Sequence, residues 1–161
     1  MNKMDQLLIA MMEYDKPDAK RIQHFVKVYE FARLIGLMEG LDEKTQEILE
    51  AAAIVHDIGI HKAEEKYGRN TGKYQEMEGP GEARMLLSSL GWPEDVTERV
   101  SYLVGHHHTY TSIDGLDYQI LVEADFLVNL FEGDAALEEK QSVYDRMFKT
   151  EGGKKLFKTM F

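Results

Sequence analysis

The sequence predicts an all-α domain, a compact single-domain bundle of seven or eight helices, and three observations predict it. Apolar residues recur at three- and four-residue steps along most of the chain. No stretch alternates apolar and polar residues as a half-buried strand does. The prolines, only three in 161 residues, stand at 17, 80 and 93, where helices can begin. One domain accounts for the length, because single domains run about 100–200 residues. We read residues 1–161 as one unit, with a motif-bearing core over 17–131 and a C-terminal helical extension, 132–161, packed on it.

From Pro17 to Met38, Ile22, Phe25, Val28, Tyr29, Ala32 and Ile35 recur at helical spacing, and Gly40 ends the helix. Asp42 is the expected N-cap of the next, which runs through Ile48, Leu49 and the uncharged stretch Ala51 to Val55 into His56-Asp57-Ile58-Gly59. A helix apolar on all sides is buried. Residues 68–81 hold Gly68, Gly72, Gly79 and Gly81 among Arg69, Asn70, Thr71 and Lys73, and read as a long surface loop. Helical spacing resumes over 82–90 and 94–105, and His106-His107-His108 opens a second loop reaching Gly115. Tyr118 to Phe131 is a nearly all-apolar helix. The segments 135–148 and 154–161 mix apolar and charged residues at helical spacing, which places them on the outside.

Composition narrows the chemistry. With 19 Lys and Arg against 29 Asp and Glu the chain carries a formal charge of −10, which repels nucleic acid and anionic membrane. Neither is expected as a partner. No apolar run approaches the ~20 residues that cross a bilayer, and Leu7 to Met12 is too short for a secretory leader, so a soluble, cytoplasmic protein is expected. There is no Cys, so a metal would be held by His, Asp or Glu.

Burying an unpaired charge costs several kcal/mol, so ionisable groups on buried faces have a partner or a metal. His24 aligns with Val28, Phe31 and Ile35 on one stripe; His56 and Asp57 end an apolar run; Asp125 interrupts the apolar helix from Tyr118. Adjacent helical residues differ by about 100° in direction, so His56 and Asp57 reach one ion only near a helix end, which Gly59 supplies. Two imidazoles and two carboxylates suit a divalent transition ion, Mn, Fe, Co, Ni or Zn, with open positions for water and substrate.

This ordered set, with the phrase AAAIVHDIG from Ala51 to Gly59, resembles the HD-domain metal-dependent phosphohydrolases. The likeness spans about His24 to Phe131. It implies a helical fold, metal ligation by His24, His56, Asp57 and Asp125, and hydrolysis of a small phosphate ester, often a nucleotide, by attack of metal-activated water. Members with two metals add a His before a Gly in the next segment and one or two His before the last Asp. The second feature is similar to His106 to His108, but Gln75 or Glu76 stands at the position of the first. One ion is therefore favoured, with a second left open.

By this resemblance Asp57 contacts the attacking water, and one of His106 to His108, with His107 first choice, or Glu76 is the proton donor to the leaving oxygen. His106 and His108 are otherwise candidates for substrate contact, as are the loop cations Arg69 and Lys73, for which a merely solvated loop is an equal alternative. His61 reads at least as well as a surface residue, and Tyr110 is a candidate for a pocket wall. Ile60 and Gln75 replace residues common in the family, which gives weight to a nucleotide-binding regulatory domain with little turnover. An iron-dependent oxygenase on the same scaffold is a third reading. Oligomeric state stays open, a homodimer included.

Overall fold

The computed structural model describes residues 1–161, which form nine helices and no strand. They are α1 (Lys3–Asp15), α2 (Ala19–Met38), α3 (Glu43–Val55), α4 (Ile60–Tyr67), α5 (Gly72–Ser89), α6 (Glu94–Val104), α7 (Leu116–Glu132), α8 (Leu137–Met147) and α9 (Glu151–Met160). The first three helices start at short polar side chains. Asn2, Asp18 and Asp42 accept the backbone N–H of Asp5, Arg21 and Thr45, satisfying donors that the first turn leaves bare.

The core gathers around α3, whose Leu49 and Ala51 to Val55 are wholly buried, and around α7, where Ile120, Leu121, Ala124 and Leu127 are likewise inaccessible. Helix α2 lies against both, α1 covers α3, and α6 joins α3 to the pair it forms with α5. The outer α8 and α9 are pinned by one buried carboxylate of α7. Glu123 accepts the backbone N–H of Lys149 and Thr150, the Thr150 hydroxyl and the Gln119 side-chain amide. No helix is long and apolar enough to cross a membrane.

Two features correct the sequence expectation. Nine helices form where seven or eight were expected; α1 and the eight-residue α4 are additional to the segments read from spacing. Residues 68–81 are not one long loop, because α5 begins at Gly72 and carries Pro80 in its interior. Gly79 of α5 and Gly59 before α4 serve close approach rather than turning. A Cβ on Gly79 would stand 2.6 Å from Val104 Cγ1, and one on Gly59 would stand 2.7 Å from the Gln75 carbonyl oxygen and 2.7 Å from the Gly79 nitrogen. Gly68 alone in this stretch takes a left-handed conformation, φ 70°, and ends α4.

Candidate metal centre

Three helices and one loop bring ionisable groups to a single point. On α2, His24 shares the inward stripe of Val28 and Ile35 and is 1% exposed. Helix α3 stops at Val55, and the tight turn that follows, closed by Ile58 N–H to the Val55 carbonyl and Ile60 N–H to the Asp57 carbonyl, lets the neighbours His56 and Asp57 face the same way. Helix α7 supplies Asp125 from its buried side. The turn after α6 supplies His107 and His108.

The donor atoms converge. His24 Nε2 lies 3.2 Å from His56 Nε2, 3.3 Å from Asp57 Oδ2 and 3.2 Å from Asp125 Oδ1. His56 Nε2 lies 3.3 Å from Asp57 Oδ2 and 3.4 Å from Asp125 Oδ1. Ligands at about 2.1 Å from one ion stand about 3.0 Å apart along an octahedral edge and about 3.4 Å apart along a tetrahedral one, so these separations match a shared ion.

The outer hydrogen bonds decide which ring atoms are free. His24 Nδ1 faces Glu132 Oε1 at 2.7 Å, His56 Nδ1 faces the Ala53 carbonyl at 2.7 Å, and His107 Nδ1 faces the Val104 carbonyl at 2.8 Å. Each acceptor takes an Nδ1 proton and leaves an Nε2 lone pair pointing inward. Two such lone pairs 3.2 Å apart repel unless a proton or a cation lies between them. Asp125 Oδ1 is buried with no hydrogen-bond partner, which is the same demand made by an oxygen. The residues therefore fit a divalent ion.

Electrostatics agree. Burial pulls the His24 imidazole down, but the adjoining carboxylates of Asp125 and Asp57 outweigh it and hold the ring up at about 9. Burial likewise opposes the charged forms of His56, Asp57 and Asp125, yet their mutual attraction raises His56 well above its ordinary value and lowers both carboxyls. Without an ion the cradle keeps protons on imidazole, and an ion must displace them.

A second donor group adjoins the first. Asp57, His107 and His108 each offer one ligand atom within 4.8 Å of the others, and His107 Nε2 lies 3.3 Å from Asp57 Oδ1, the oxygen turned away from His24. His108 is constrained by Gln75. The Gln75 amide donates to the Asn70 carbonyl at 2.7 Å, so its oxygen accepts from His108 Nε2 at 2.9 Å and leaves Nδ1 as the free lone pair. Burial, with the neighbouring His107, depresses the His108 imidazole to about 4.

The other candidates are spread around this centre. Glu76 spends its carboxylate on the histidine turn, accepting from His108 N–H at 3.0 Å and from the Thr109 hydroxyl at 3.0 and 3.1 Å. His106 turns away, stacking on Tyr102 at 3.9 Å and donating to its carbonyl. Arg69 and Lys73 are exposed, the latter next to Gly72, whose Cβ would stand 3.0 Å from His108 Cβ. His61 lies outside the cradle, 3.2 Å from Asp18 and 3.5 Å from Asp15. Tyr110 packs on Phe126 at 5.4 Å, beside Asp125. Two residues escaped the sequence reading. Glu132 buttresses His24, and Arg21 donates from Nη1 to Asp57 Oδ2 at 3.1 Å. The only available signal was spacing: Arg21 precedes His24 by three residues and Glu132 follows Asp125 by seven, each on the ligand's helix face.

The comparisons with known proteins bear on this geometry. A family model described as HD domain matches residues 21–149. The chain is similar to a solved structure described as a predicted HD superfamily hydrolase from an uncultured Thermotogales bacterium. The TM-score is 0.68 at 26% sequence identity, over 96% of this chain and 83% of that one. Comparison with curated proteins finds no match.

Proposed function

The chain belongs to the HD-domain family, and from that premise we propose that it is a metal-dependent phosphohydrolase acting on a small phosphate ester, a nucleotide in our reading. The observation that carries the proposal is the convergence of two imidazole lone pairs and the unpartnered Asp125 Oδ1 on one point. The similarity to a protein described as a predicted HD superfamily hydrolase supports the hydrolase class.

In this reading His24, His56, Asp57 and Asp125 hold one divalent transition ion. Such an ion supplies Lewis acidity toward a phosphoryl oxygen and lowers the pKa of a coordinated water. The chain's own groups do the rest. Asp57 faces both donor sets, with Oδ2 toward His24 and His56 and Oδ1 toward His107, so it is suited to orient the attacking water. His107, once its Nε2 takes up a proton, is the better donor to the leaving oxygen, because Glu76 is engaged by His108 and Thr109. Tyr110 and Phe126 form an aromatic pair beside Asp125 on which a nucleobase would stack in this reading. A second ion on Asp57, His107 and His108 requires the Nδ1 lone pair of His108, since Nε2 is taken by Gln75.

Elemental analysis of the purified protein, joined to a panel of nucleoside phosphates and simple phosphomonoesters, tests the proposal. One equivalent of a transition metal and phosphate release, both lost in His56→Ala and Asp57→Ala, are expected. Retained activity in either variant overturns it. Tight nucleotide binding with no phosphate release would identify a regulatory domain, the reading that the Gln75 to His108 bond favours.

A further inference from the structure

Away from the cradle, three ionisable side chains meet where α1 ends, α2 begins and α4 leaves the His56-Asp57 turn. Asp15 is the last residue of α1, Asp18 caps α2, and His61 is the second residue of α4. His61 Nε2 stands 3.2 Å from Asp18 Oδ2 and 3.5 Å from Asp15 Oδ1. The three line one depression of about 540 Å³ that opens to solvent.

The protein leaves these groups short of partners. The Asp15 side chain is 3% exposed and accepts no hydrogen bond. It also stands at the negative, C-terminal end of a 13-residue helix, where a carboxylate is disfavoured. Burial, partly offset by His61, holds it up at about 6. Asp18 spends Oδ1 on the Arg21 backbone N–H at 3.1 Å, and Oδ2 is the oxygen turned to His61. The His61 side chain is 41% exposed, yet its Nε2 is buried without a hydrogen-bond partner, so the ring donates to neither carboxylate. The neighbouring basic side chains are committed elsewhere, Lys16 to Glu13 at 2.8 Å and Arg21 to Asp57 at 3.1 Å. A buried carboxylate without a donor beside a buried imidazole nitrogen without an acceptor is a pattern that a cation between them resolves.

We propose that Asp15 Oδ1, Asp18 Oδ2 and His61 Nε2 form a separate site for a divalent ion of the Zn2+ class, with water in the positions facing the depression. The separations of 3.2 and 3.5 Å bracket the edge of about 3.4 Å that ligand bonds of about 2.1 Å give a tetrahedron. One imidazole with two carboxylates is a donor set that zinc accepts. The site shares no ligand with the cradle and does not rest on the phosphohydrolase reading. An ion held here ties the end of α1 and the start of α2 to α4. With three donors and an open face it is held more loosely than one in the buried cradle, and it enters when the ion is supplied.

The test is equilibrium dialysis against Zn2+ with elemental analysis of bound ion, together with thermal melts near pH 7.5, on the wild-type protein, His61→Ala, Asp15→Asn and Asp18→Asn. The last variant keeps the cap of α2, because Asn caps as well as Asp. At saturation His61→Ala and Asp15→Asn are expected to bind one ion fewer than wild type. Asp18→Asn is expected to hold that ion at least about tenfold more weakly, since even an outer partner is worth that much to a metal site. An ion on Asp57, His107 and His108 is common to all four proteins and cancels from the comparison. Stripped of metal, Asp15→Asn should melt no lower than wild type, because it removes an unpaired buried charge, and Zn2+ should then raise the melting temperature of wild type more than that of the variant. Equal stoichiometry in wild type and His61→Ala overturns the proposal. So does a rise with Zn2+ that is the same in wild type and Asp15→Asn.

Discussion

Replacing Glu132 with alanine removes the acceptor of the His24 Nδ1 proton and the partner of Lys27 Nζ, both at 2.7 Å, without removing any donor atom of the cradle. The buried ring then has no group to fix its tautomer, and forms carrying hydrogen on Nε2 present no lone pair to the ion. Losing such an outer partner costs a metal site on the order of 10–100-fold in affinity, or about 1.4–2.7 kcal/mol. Glu132 is 19% exposed, so water replaces part of the bond and the loss should lie near the lower end, about tenfold. Glu132→Gln keeps an oxygen for Nδ1 and discards only the charge, so it should lose less. Lys27→Ala keeps the Glu132 to His24 bond and should change little. Competition for Zn2+ with a chromophoric chelator near pH 7.5 measures all three, with circular dichroism as the control for folding. A Glu132→Ala protein that is folded and binds within about threefold of wild type would refute the argument.

Three further outcomes are expected. An ion that binds the folded cradle and not the unfolded chain adds about 2.7 kcal/mol at a hundredfold excess over Kd, so chelation should lower Tm by about 5–10 °C, and an unchanged melt would count against any bound ion. Burial, partly offset by His61, raises the Asp15 carboxyl from 3.8 to about 6. Stability from its protonated form is complete below 3.8 and is lost as pH rises through about 6. Asp15→Asn should therefore be nearly neutral at pH 4 and stabilising by about 1–3 kcal/mol at pH 8, and urea melts giving equal differences at both pH values would contradict this. Gly59→Ala would drive a Cβ to 2.7 Å from backbone atoms of both Gln75 and Gly79. A loss of about 1–3 kcal/mol or more should appear in thermal unfolding.

What the sequence made legible follows from how each signal arises. His24, His56, Asp57 and Asp125 stand out because a charge on an otherwise apolar helix face has few innocent explanations, and the structure gathers these four. Asp42 was readable as a cap because its chemistry is local. Arg21 and Glu132 were not, since charges at helical spacing look the same whether they face water or a metal ligand. The stretch 68–81 misled because glycine is usually read as freedom to turn, whereas Gly79 is small to admit Val104. Which of three consecutive histidines faces inward depends on Glu76, more than thirty residues away, holding the turn. No local pattern records that.

Glu123 carries a consequence for the modularity of this protein. It sits two residues before Asp125, is wholly buried, and draws its partners from the junction of α8 and α9. The last two helices are therefore the keystone of the turn that carries Asp125. Deleting them would leave a carboxylate in the apolar interior, half a turn from Asp125, with Gln119 as its one remaining partner, so lineages that trim or exchange this end should also replace Glu123 with an apolar residue, and chimeras that ignore the pairing should lose their metal before they lose their helices.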